Sequence, residues 1–319
     1  MDDIFCGVDI GGTKYSIVLV NEKGEILNRF SGHDHVGLKE EELVGVVAEN
    51  VRAMLRKSRV QESDLPGIGI GFAGHIRFRD GVVITTSNLK GFKNYPLRDA
   101  FRSRFSIPVI LDNDANAQAW GEHKFGAGRG FEDMVFLTIS TGIGAGIIIN
   151  NKIYHGITGT AGEFGHTIVE PESEWVCTCG NRGCLMALAS GLALPRLYEK
   201  KLQEGKKSTL NLPAGFNFSE INGRILKKGL DMNDPVSKEI ILECGYYLGI
   251  GLYNIFQALN PPLIVLGGGL TNWGEIYLDK IKATFYDLAG DMIVDPVKIA
   301  VSEIPGNAGV IGAAALTME

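Results

Sequence analysis

One local pattern occurs twice in this chain, once at its start and once before its middle. Each copy reads as an apolar strand, a turn of glycine and threonine, a β-branched strand, an Asn-containing hairpin and a third strand. In the first copy these segments are residues 4–10, 11–14, 15–20, 21–24 and 25–30, and in the second they are 135–139, 140–144, 145–149, 150–152 and 153–154. The shared order predicts a duplicated β-rich unit, with helices following each copy.

The segments outside the two copies complete an α/β arrangement. Helical spacing of apolar residues, with proline or glycine at the ends, predicts helices at 39–57, 96–104, 115–124, 185–202, 235–259, 273–288 and 306–318. Short apolar runs predict further strands at 67–72, 108–111, 263–266 and 298–301. The last helix is rich in alanine and glycine, so we expect it to pass close to other backbone and to return to the first lobe. The expected fold is α/β, with two similar lobes, 1–115 plus about 305–319 and 116–304, and a ligand-binding cleft between them.

The composition argues against two classes of partner. The chain has 319 residues and a net charge of −6, so it lacks the basic excess of a nucleic-acid surface. No apolar run approaches the roughly 20 residues of a membrane span. The start, Met-Asp-Asp-Ile, lacks the basic and apolar regions of a signal peptide. We expect a cytoplasmic globular protein with neither nucleic acid nor membrane as its partner.

Three of the five cysteines lie in one short segment that follows a histidine. The potential ligands in this segment are His166, Cys177, Cys179 and Cys184. Cysteines bunched in this way favour a metal site over a disulfide framework, and three thiolates with one imidazole suit tetrahedral Zn²⁺. The sequence therefore predicts a zinc-binding loop over 166–184, which would also fix the position of nearby Glu163.

Glycine-rich turns at strand ends indicate phosphate binding, because backbone amides can approach phosphates there. Asp9 places a carboxylate beside the first of these turns, and Mg²⁺ with a nucleotide takes one or two carboxylates plus phosphate oxygens. The alternative is that Asp9 only caps a hairpin turn. The predicted cofactor-binding residues at the three turns are Asp9, Gly11, Gly12, Thr13, Lys14, Thr141, Gly142 and Gly268.

Asp114, with Asn113 before it, ends one predicted strand and starts a helix. An Asp in that position is a good helix N-cap. Beside a phosphoryl donor it could instead accept the proton of a substrate hydroxyl, as the catalytic Asp does in phosphoryl transfer. The residues alone leave both interpretations open.

Four motifs, in this order along the chain, resemble the ROK family of bacterial-type sugar kinases, which share the actin, Hsp70 and hexokinase-like ATPase fold (ribonuclease H-like). They are Asp9 to Thr13, Leu111 to Ala117, Ser140 to Gly146, and Gly162 to His166 with the cysteines that follow. The resemblance covers essentially the whole chain. It implies glucokinase-like, ATP-dependent phosphorylation of a hexose at the 6-hydroxyl, with Mg²⁺ arriving with ATP, a structural Zn²⁺, and a homodimer or homotetramer.

The resemblance also implies a role for individual residues. Asp114 would be the general base toward the sugar 6-hydroxyl. The sugar-binding residues would be Asn88, Asn113, Asp114, Glu163 and His166. His166 would bind zinc with one ring nitrogen and face the sugar with the other. The zinc would be structural, because four protein ligands leave no open position for catalysis.

Two departures from the family pattern matter: mildly, the loop Gly71-Phe72-Ala73-Gly74, which usually reads Gly-x-Pro-Gly, and more seriously, the position of Met186. Two residues after Cys184, where the sugar kinases usually carry a sugar-binding Glu, this chain has Met186. A thioether is a poor acceptor for hydroxyl groups. The alternatives are therefore a kinase for another hexose or an N-acetylhexosamine (fructose, mannose, allose, GlcNAc or ManNAc) and a sugar-binding relative without catalysis. The family's transcriptional repressors carry a helix-turn-helix before the kinase-like part of the chain. Here we expect the first strand to start at about Ile4, which would leave no room for a helix-turn-helix.

The other histidines carry no predicted function. We expect His33, His35 and His123 at the surface, and we assign no role to His75 or His155.

Overall fold

The computed structural model describes residues 3–86, 89, 91–213, 215–293 and 295–318. Its strands are β1 (Ile4–Ile10), β2 (Tyr15–Asn21), β3 (Ile26–Gly32), β4 (Ile68–Phe72), β5 (His75–Arg77), β6 (Val82–Thr85), β7 (Val109–Asn113), β8 (Met134–Ile139), β9 (Ile143–Ile149), β10 (Lys152–Ile153), β11 (Leu263–Gly267) and β12 (Lys298–Val301). Its α-helices are α1 (Glu40–Ser58), α2 (Leu97–Arg102), α3 (Asp114–Phe125), α4 (Leu185–Ala189), α5 (Leu194–Gln203), α6 (Gly223–Asp231), α7 (Pro235–Leu259), α8 (Glu275–Ala289) and α9 (Ala308–Ala315). Within this described part of the chain, none of the helices has the length and apolarity that a membrane crossing needs.

Two five-stranded sheets repeat one strand order. The first runs β3-β2-β1-β4-β7 and the second β10-β9-β8-β11-β12. In the first sheet β1 pairs antiparallel with β2 and parallel with β4, and β4 pairs parallel with β7. Each sheet thus consists of one copy of the repeated three-strand pattern, extended by two later strands. The predicted duplication and the predicted α/β class are confirmed, while the short β5-β6 hairpin and α6 were not predicted.

Internal contacts divide the chain into two compact units. The first contains Met1–Phe136, Gly146–Gly162 and Ser302–Glu319, and the second contains Leu137–Ala145 and Glu163–Val301. The last helix, α9, therefore belongs to the first unit. The internal contacts also place 116–136 and 146–162 in the first unit, whereas the sequence predicts them in the second lobe. These compact units do not test the predicted lobe boundary after residue 115, which stays a prediction.

Helix α9 approaches its neighbours at backbone distance because glycines face it. A Cβ on Gly69 in β4 would lie 1.8 Å from the carbonyl oxygen of Ala313. A Cβ on Gly312 would lie 1.7 Å from the carbonyl oxygen of Ala117 in α3. The whole helix is buried. The small residues of the last segment thus let α9 pack directly on the first sheet and on α3, as the sequence predicts.

A buried carboxylate anchors the segment that leads into α9. Glu122, on α3, accepts a hydrogen bond from the hydroxyl of Ser302. The backbone N–H groups of Ile304 and Ala127 donate to the same side chain, at 3.3 Å and 2.9 Å. A buried carboxylate needs such partners, and here they fix where the returning chain enters the first unit.

The prediction of one helix over 185–202 is wrong. Ser190 is extended, with φ −91° and ψ 169°, and it separates α4 from α5. The N–H of Gly191 donates instead to the carbonyl of Ser140, at 2.8 Å. A Cβ on Gly191 would lie 2.7 Å from that oxygen, so only glycine allows this approach. The apolar periodicity of the sequence continues through the break, because α4 and α5 both bury apolar residues. The helical hydrogen-bond pattern stops there, because the N–H of Gly191 donates to Ser140 instead of to a helical carbonyl.

We predict that Gly312→Ala destabilises the first unit, because its methyl group would overlap the backbone of α3. Overpacking of this kind costs about 1–3 kcal/mol or more. Gly45→Ala is the matched control, since Gly45 lies in α1 with open space around its Cα and the change should stabilise by roughly 0.5–1 kcal/mol. Urea unfolding of both variants measures the difference. Equal stability of the two variants would contradict the backbone contact.

Candidate active site

Three parallel strands of the first sheet end side by side. Asp9 of β1 pairs with Gly71 of β4, and Gly71 pairs with Asp112 of β7. A Cβ on Gly71 would lie 3.8 Å from Oδ1 of Asp9 and 3.7 Å from Cα of Asp114. The predicted phosphate-side carboxylate and the predicted base therefore lie on either side of a glycine that has no side chain. The carboxyl edge of parallel strands is where α/β proteins commonly bind ligands.

The carboxylate of Asp9 sits in a confined place. A Cβ on Gly309, in the first turn of α9, would lie 2.8 Å from its Oδ2. Burial raises the pKa of Asp9 to about 6, although Lys14 and Arg29 lower it. Asp9 is therefore mostly ionised at pH 7 but accepts a proton more readily than an exposed Asp. A divalent cation beside it would favour the ionised form.

The turn after β1 is held by two histidines. The N–H of Gly11 donates to the carbonyl of Lys14 at 3.0 Å, which closes the turn. His35 Nε2 lies 2.8 Å from the carbonyl oxygen of Gly11, and His33 Nδ1 lies 2.8 Å from that of Thr13. A carbonyl only accepts, so both ring nitrogens donate. Hydrogen bonds within the protein therefore fix the shape of the predicted phosphate turn.

The predicted surface position is therefore wrong for His35, which is fully buried, and it is also wrong for His123, which is buried on α3. His33 is exposed, as expected. The contact of His35 with the carbonyl of Gly11, a residue 24 positions earlier, shows why its ring lies inside.

Asn113, not Asp114, caps α3. The Asn113 Oδ1 accepts from the N–H groups of Ala115 and Asn116 at 2.8 Å and 3.3 Å, and its Nδ2 donates to the carbonyl of Gly74 at 2.9 Å. Asp114 is the first residue of the helix and is half-buried. The N-cap is therefore Asn113 rather than Asp114. Among the described residues, Nδ2 of Asn113 donates one of its two hydrogens, to Gly74.

In the second unit, the predicted nucleotide-side residues lie at the end of two neighbouring strands. Thr141 and Gly142 follow β8, and Gly268 follows β11. Gly268 has φ +88°, and its Cβ would lie 2.4 Å from the carbonyl oxygen of Ile139. The N–H of Leu192, before α5, donates to the carbonyl of Thr141 at 3.0 Å. A glycine is thus required where the two strand ends meet.

The predicted zinc ligands come together in the second unit. One ligand atom from each of the four residues His166, Cys177, Cys179 and Cys184 lies within 4.8 Å of all the others. The Sγ atoms of Cys179 and Cys184 are 3.6 Å apart, and Cys177 Sγ lies 3.4 Å from His166 Nδ1. Around a tetrahedral Zn²⁺ with Zn–S bonds of about 2.3 Å, ligand atoms are roughly 3.7 Å apart. The donor set and its spacing therefore fit zinc.

Backbone hydrogen bonds shape the loop that carries these thiols. The N–H of Cys177 donates to Asn181 O at 2.7 Å, and that of Gly180 donates to Cys177 O at 2.9 Å. Gly183 has φ +66°, and its Cβ would lie 1.7 Å from the carbonyl of Glu170. Burial is the main cause that raises the pKa of Cys184 to about 12. Zinc would replace that proton, because a metal binds the thiolate.

His166 has two differently placed nitrogens. Its Nδ1 faces the thiol of Cys177, whereas its Nε2 lies 3.9 Å from Oε2 of Glu163. Metal on Nδ1 would leave Nε2 as an N–H donor, with its direction fixed by the metal. Glu163 and His166 would then offer one acceptor and one donor from the same loop.

Met186 stands beside this loop and beside the second Gly/Thr turn. Its Sδ lies 3.2 Å from the backbone N of Ile143. Cβ atoms on Gly142 and Gly165 would lie 3.2 Å from its Sδ and from its Cε, respectively. Methionine thus packs on two glycines, one from each predicted ligand-binding segment. Asn88, the remaining predicted sugar ligand, lies outside the described residues.

Comparison with known proteins identifies the family. The sequence model of the ROK family matches residues 5–319. A glucokinase of Halalkalibacterium halodurans is 33% identical over 315 residues, which cover 98% of this chain and 94% of that protein. A xylose repressor of Caldicellulosiruptor bescii is 32% identical over 321 residues, or 98% of this chain and 77% of that protein. The solved structure of a ROK family glucokinase from Streptomyces griseus, in complex with glucose and AMPPNP, has a TM-score of 0.82 and 34% identity and covers 98% of both chains.

The fold, with Asp9 and Asp114 at the same edge of its first sheet, is that of an α/β protein of the actin-like ATPase class. The chain belongs to the ROK family. The predicted family, fold class and enzyme class, a sugar kinase, are confirmed.

We predict that the purified protein holds about one zinc per chain, since the donor set is complete. Cys179→Ala should abolish this zinc and lower the thermal midpoint, because metal binding contributes to folding. Cys244→Ala is the control, as Cys244 is buried in α7 and is not one of the four clustered residues. Elemental analysis by mass spectrometry measures the zinc. Full zinc content in Cys179→Ala would contradict the site.

Proposed function

We propose that this protein is an ATP-dependent hexose kinase that transfers the γ-phosphoryl group to the 6-hydroxyl of its sugar, with glucose as the first candidate. The observation that supports it most is the placement of Asp9 and Asp114 around Gly71 at the edge of the first sheet. A carboxylate for the magnesium nucleotide and a carboxylate for the acceptor hydroxyl are the two groups that this reaction needs close together.

In this proposal Asp114 accepts the proton of the sugar 6-hydroxyl as the oxygen attacks the γ-phosphorus. Asp9 binds Mg²⁺, which arrives with ATP and neutralises charge on the phosphate oxygens. The turn at 11–14 is a proposed phosphate-binding segment that uses its backbone N–H groups, and the turn at 141–142 is another. Asn113, Glu163 and His166 bind and orient the sugar hydroxyls, and zinc keeps His166 in place.

The test is ADP release with Mg²⁺ across glucose, mannose, fructose, allose, GlcNAc and ManNAc. We expect sugar-stimulated turnover in the wild type and a fall in kcat of about 10²–10⁴-fold in Asp114→Asn, because general-base catalysis contributes about that much. Asp279→Asn is the matched control, since Asp279 is exposed on α8. Absence of turnover with every sugar would refute the proposal. Sugar binding by calorimetry without turnover would favour the non-catalytic alternative.

A specific observation favours a second group of substrates. Met186 presents a thioether, packed on Gly142 and Gly165, where the sugar kinases usually carry Glu. The thioether is a poor hydrogen-bond acceptor for a sugar hydroxyl. A hexose with no hydroxyl group facing Met186 would lose less binding free energy at this position than glucose does. An N-acetylhexosamine, with its apolar methyl group, is an example.

We predict that Met186→Glu raises kcat/KM for glucose by about 10- to 150-fold, the value of one hydrogen bond to a charged acceptor. Met186→Leu is the control, because it keeps the wall apolar at similar volume. The measurement is the initial rate on glucose and on the best sugar of the wild type. A lower kcat/KM for glucose in Met186→Glu would show that methionine itself serves the native substrate.

The cytoplasm, where ATP is available, is the proposed location. Association into a homodimer or homotetramer likewise remains part of the proposal.

A further inference from the structure

A buried carboxylate directly precedes Asn113 and Asp114. Asp112 is only 1% exposed. Its Oδ1 accepts from the backbone N–H of Asn113 at 2.7 Å and from Nδ2 of Asn116 at 2.8 Å. One oxygen therefore connects the last residue of β7 to the first turn of α3.

The other oxygen is bound by a residue 43 positions later in the sequence. His155 Nε2 lies 2.7 Å from Oδ2 of Asp112. A carboxylate accepts, so Nε2 carries the donated proton. The imidazole also stacks on Phe78, with ring centroids 3.8 Å apart and planes 12° apart. The hydrogen bond fixes the position of the ring, and the stacking fixes its plane.

We propose that His155 is a positioning residue for the phosphoryl-transfer base. It holds the carboxylate of Asp112, and through that carboxylate the backbone that carries Asn113 and Asp114. The inference rests on the proposed function, in which Asp114 is the base. All the contacts that carry it lie within the first compact unit.

The physical reason is that a buried carboxylate cannot leave one oxygen without a donor at low cost. Without the Nε2 donor, Asp112 would turn toward water or another donor and would release the N–H of Asn113. The side chain of Asn113 is already bound to Gly74 and to the start of α3. The displacement would therefore appear at the peptide that places Asp114, and misplacement of a catalytic group by about 1 Å can lower the rate about 100-fold.

Two conservative variants separate positioning from simple packing. His155→Gln keeps an N–H donor at the same number of bonds from the backbone as Nε2. His155→Asn keeps an amide of the same chemistry but is one bond too short to reach Asp112. Both variants lose the ring that stacks on Phe78, so stacking is matched between them.

We expect His155→Asn to lower kcat about 10- to 100-fold with little change in KM for ATP, because the displaced group acts in the chemical step. His155→Gln should keep kcat within about threefold of the wild type, since its donor is retained. Equal kcat in wild type and His155→Asn would overturn the inference. So would an equal loss of kcat in both variants, which would mean that the ring is needed only for packing.

A second readout does not depend on kinase activity. Hydrogen–deuterium exchange of a peptide covering 109–118 should be faster in His155→Asn than in wild type, and unchanged in His155→Gln. Faster exchange in His155→Asn but not in His155→Gln would support the positioning role of His155. If the wild type shows no sugar-stimulated turnover, that finding overturns the proposed function alone, and the exchange result still tests the position of the backbone. Unchanged exchange in His155→Asn would overturn the inference in an active enzyme as well.

Discussion

The register of three parallel strands is the constraint on which the rest of this structure depends. The pairing of β1 with β4 and of β4 with β7 aligns Asp9, Gly71 and Asp112 at one edge. Parallel strands end on the same side, so residues more than 40 positions apart become neighbours without any local sequence signal. Because Gly71 has no side chain, nothing from β4 fills the space between the carboxylate of Asp9 and the backbone of Asp114. Helix α9 packs tightly on the same sheet, and its Gly309 lies against the carboxylate of Asp9.

The second unit uses a different means of fixing its residues. Here the loop with Glu163 and His166 has little regular structure, and a cluster of four metal-binding side chains takes the place of strand pairing. The two ring nitrogens of His166 connect this cluster to Glu163. A zinc ion held by these four residues would orient His166, a predicted sugar ligand. It would have no open coordination position for catalysis.

The sequence predicted what is encoded locally, and it missed what depends on contacts between distant residues. The repeated pattern, the cluster of His166 with the three cysteines, and the alanine- and glycine-rich last helix could all be identified from spacing and composition. His155 could not, because nothing near it in sequence indicates that its ring meets Asp112. The break at Ser190 also escaped prediction, since apolar periodicity continues through it and only the hydrogen bond from Gly191 to Ser140 interrupts the helix.

The most direct test of this account is the kcat of Gly71→Ala. The added methyl group would lie at ordinary contact distance from Asp9 and from the backbone of Asp114, and only slightly too close to Ala117. The fold should therefore survive, with a thermal midpoint close to that of the wild type. The account predicts a kcat about 10- to 100-fold lower, because the methyl group would contact both the carboxylate of Asp9 and the backbone that positions Asp114. A folded variant with the kcat of the wild type would contradict the claim that this edge is the site of phosphoryl transfer.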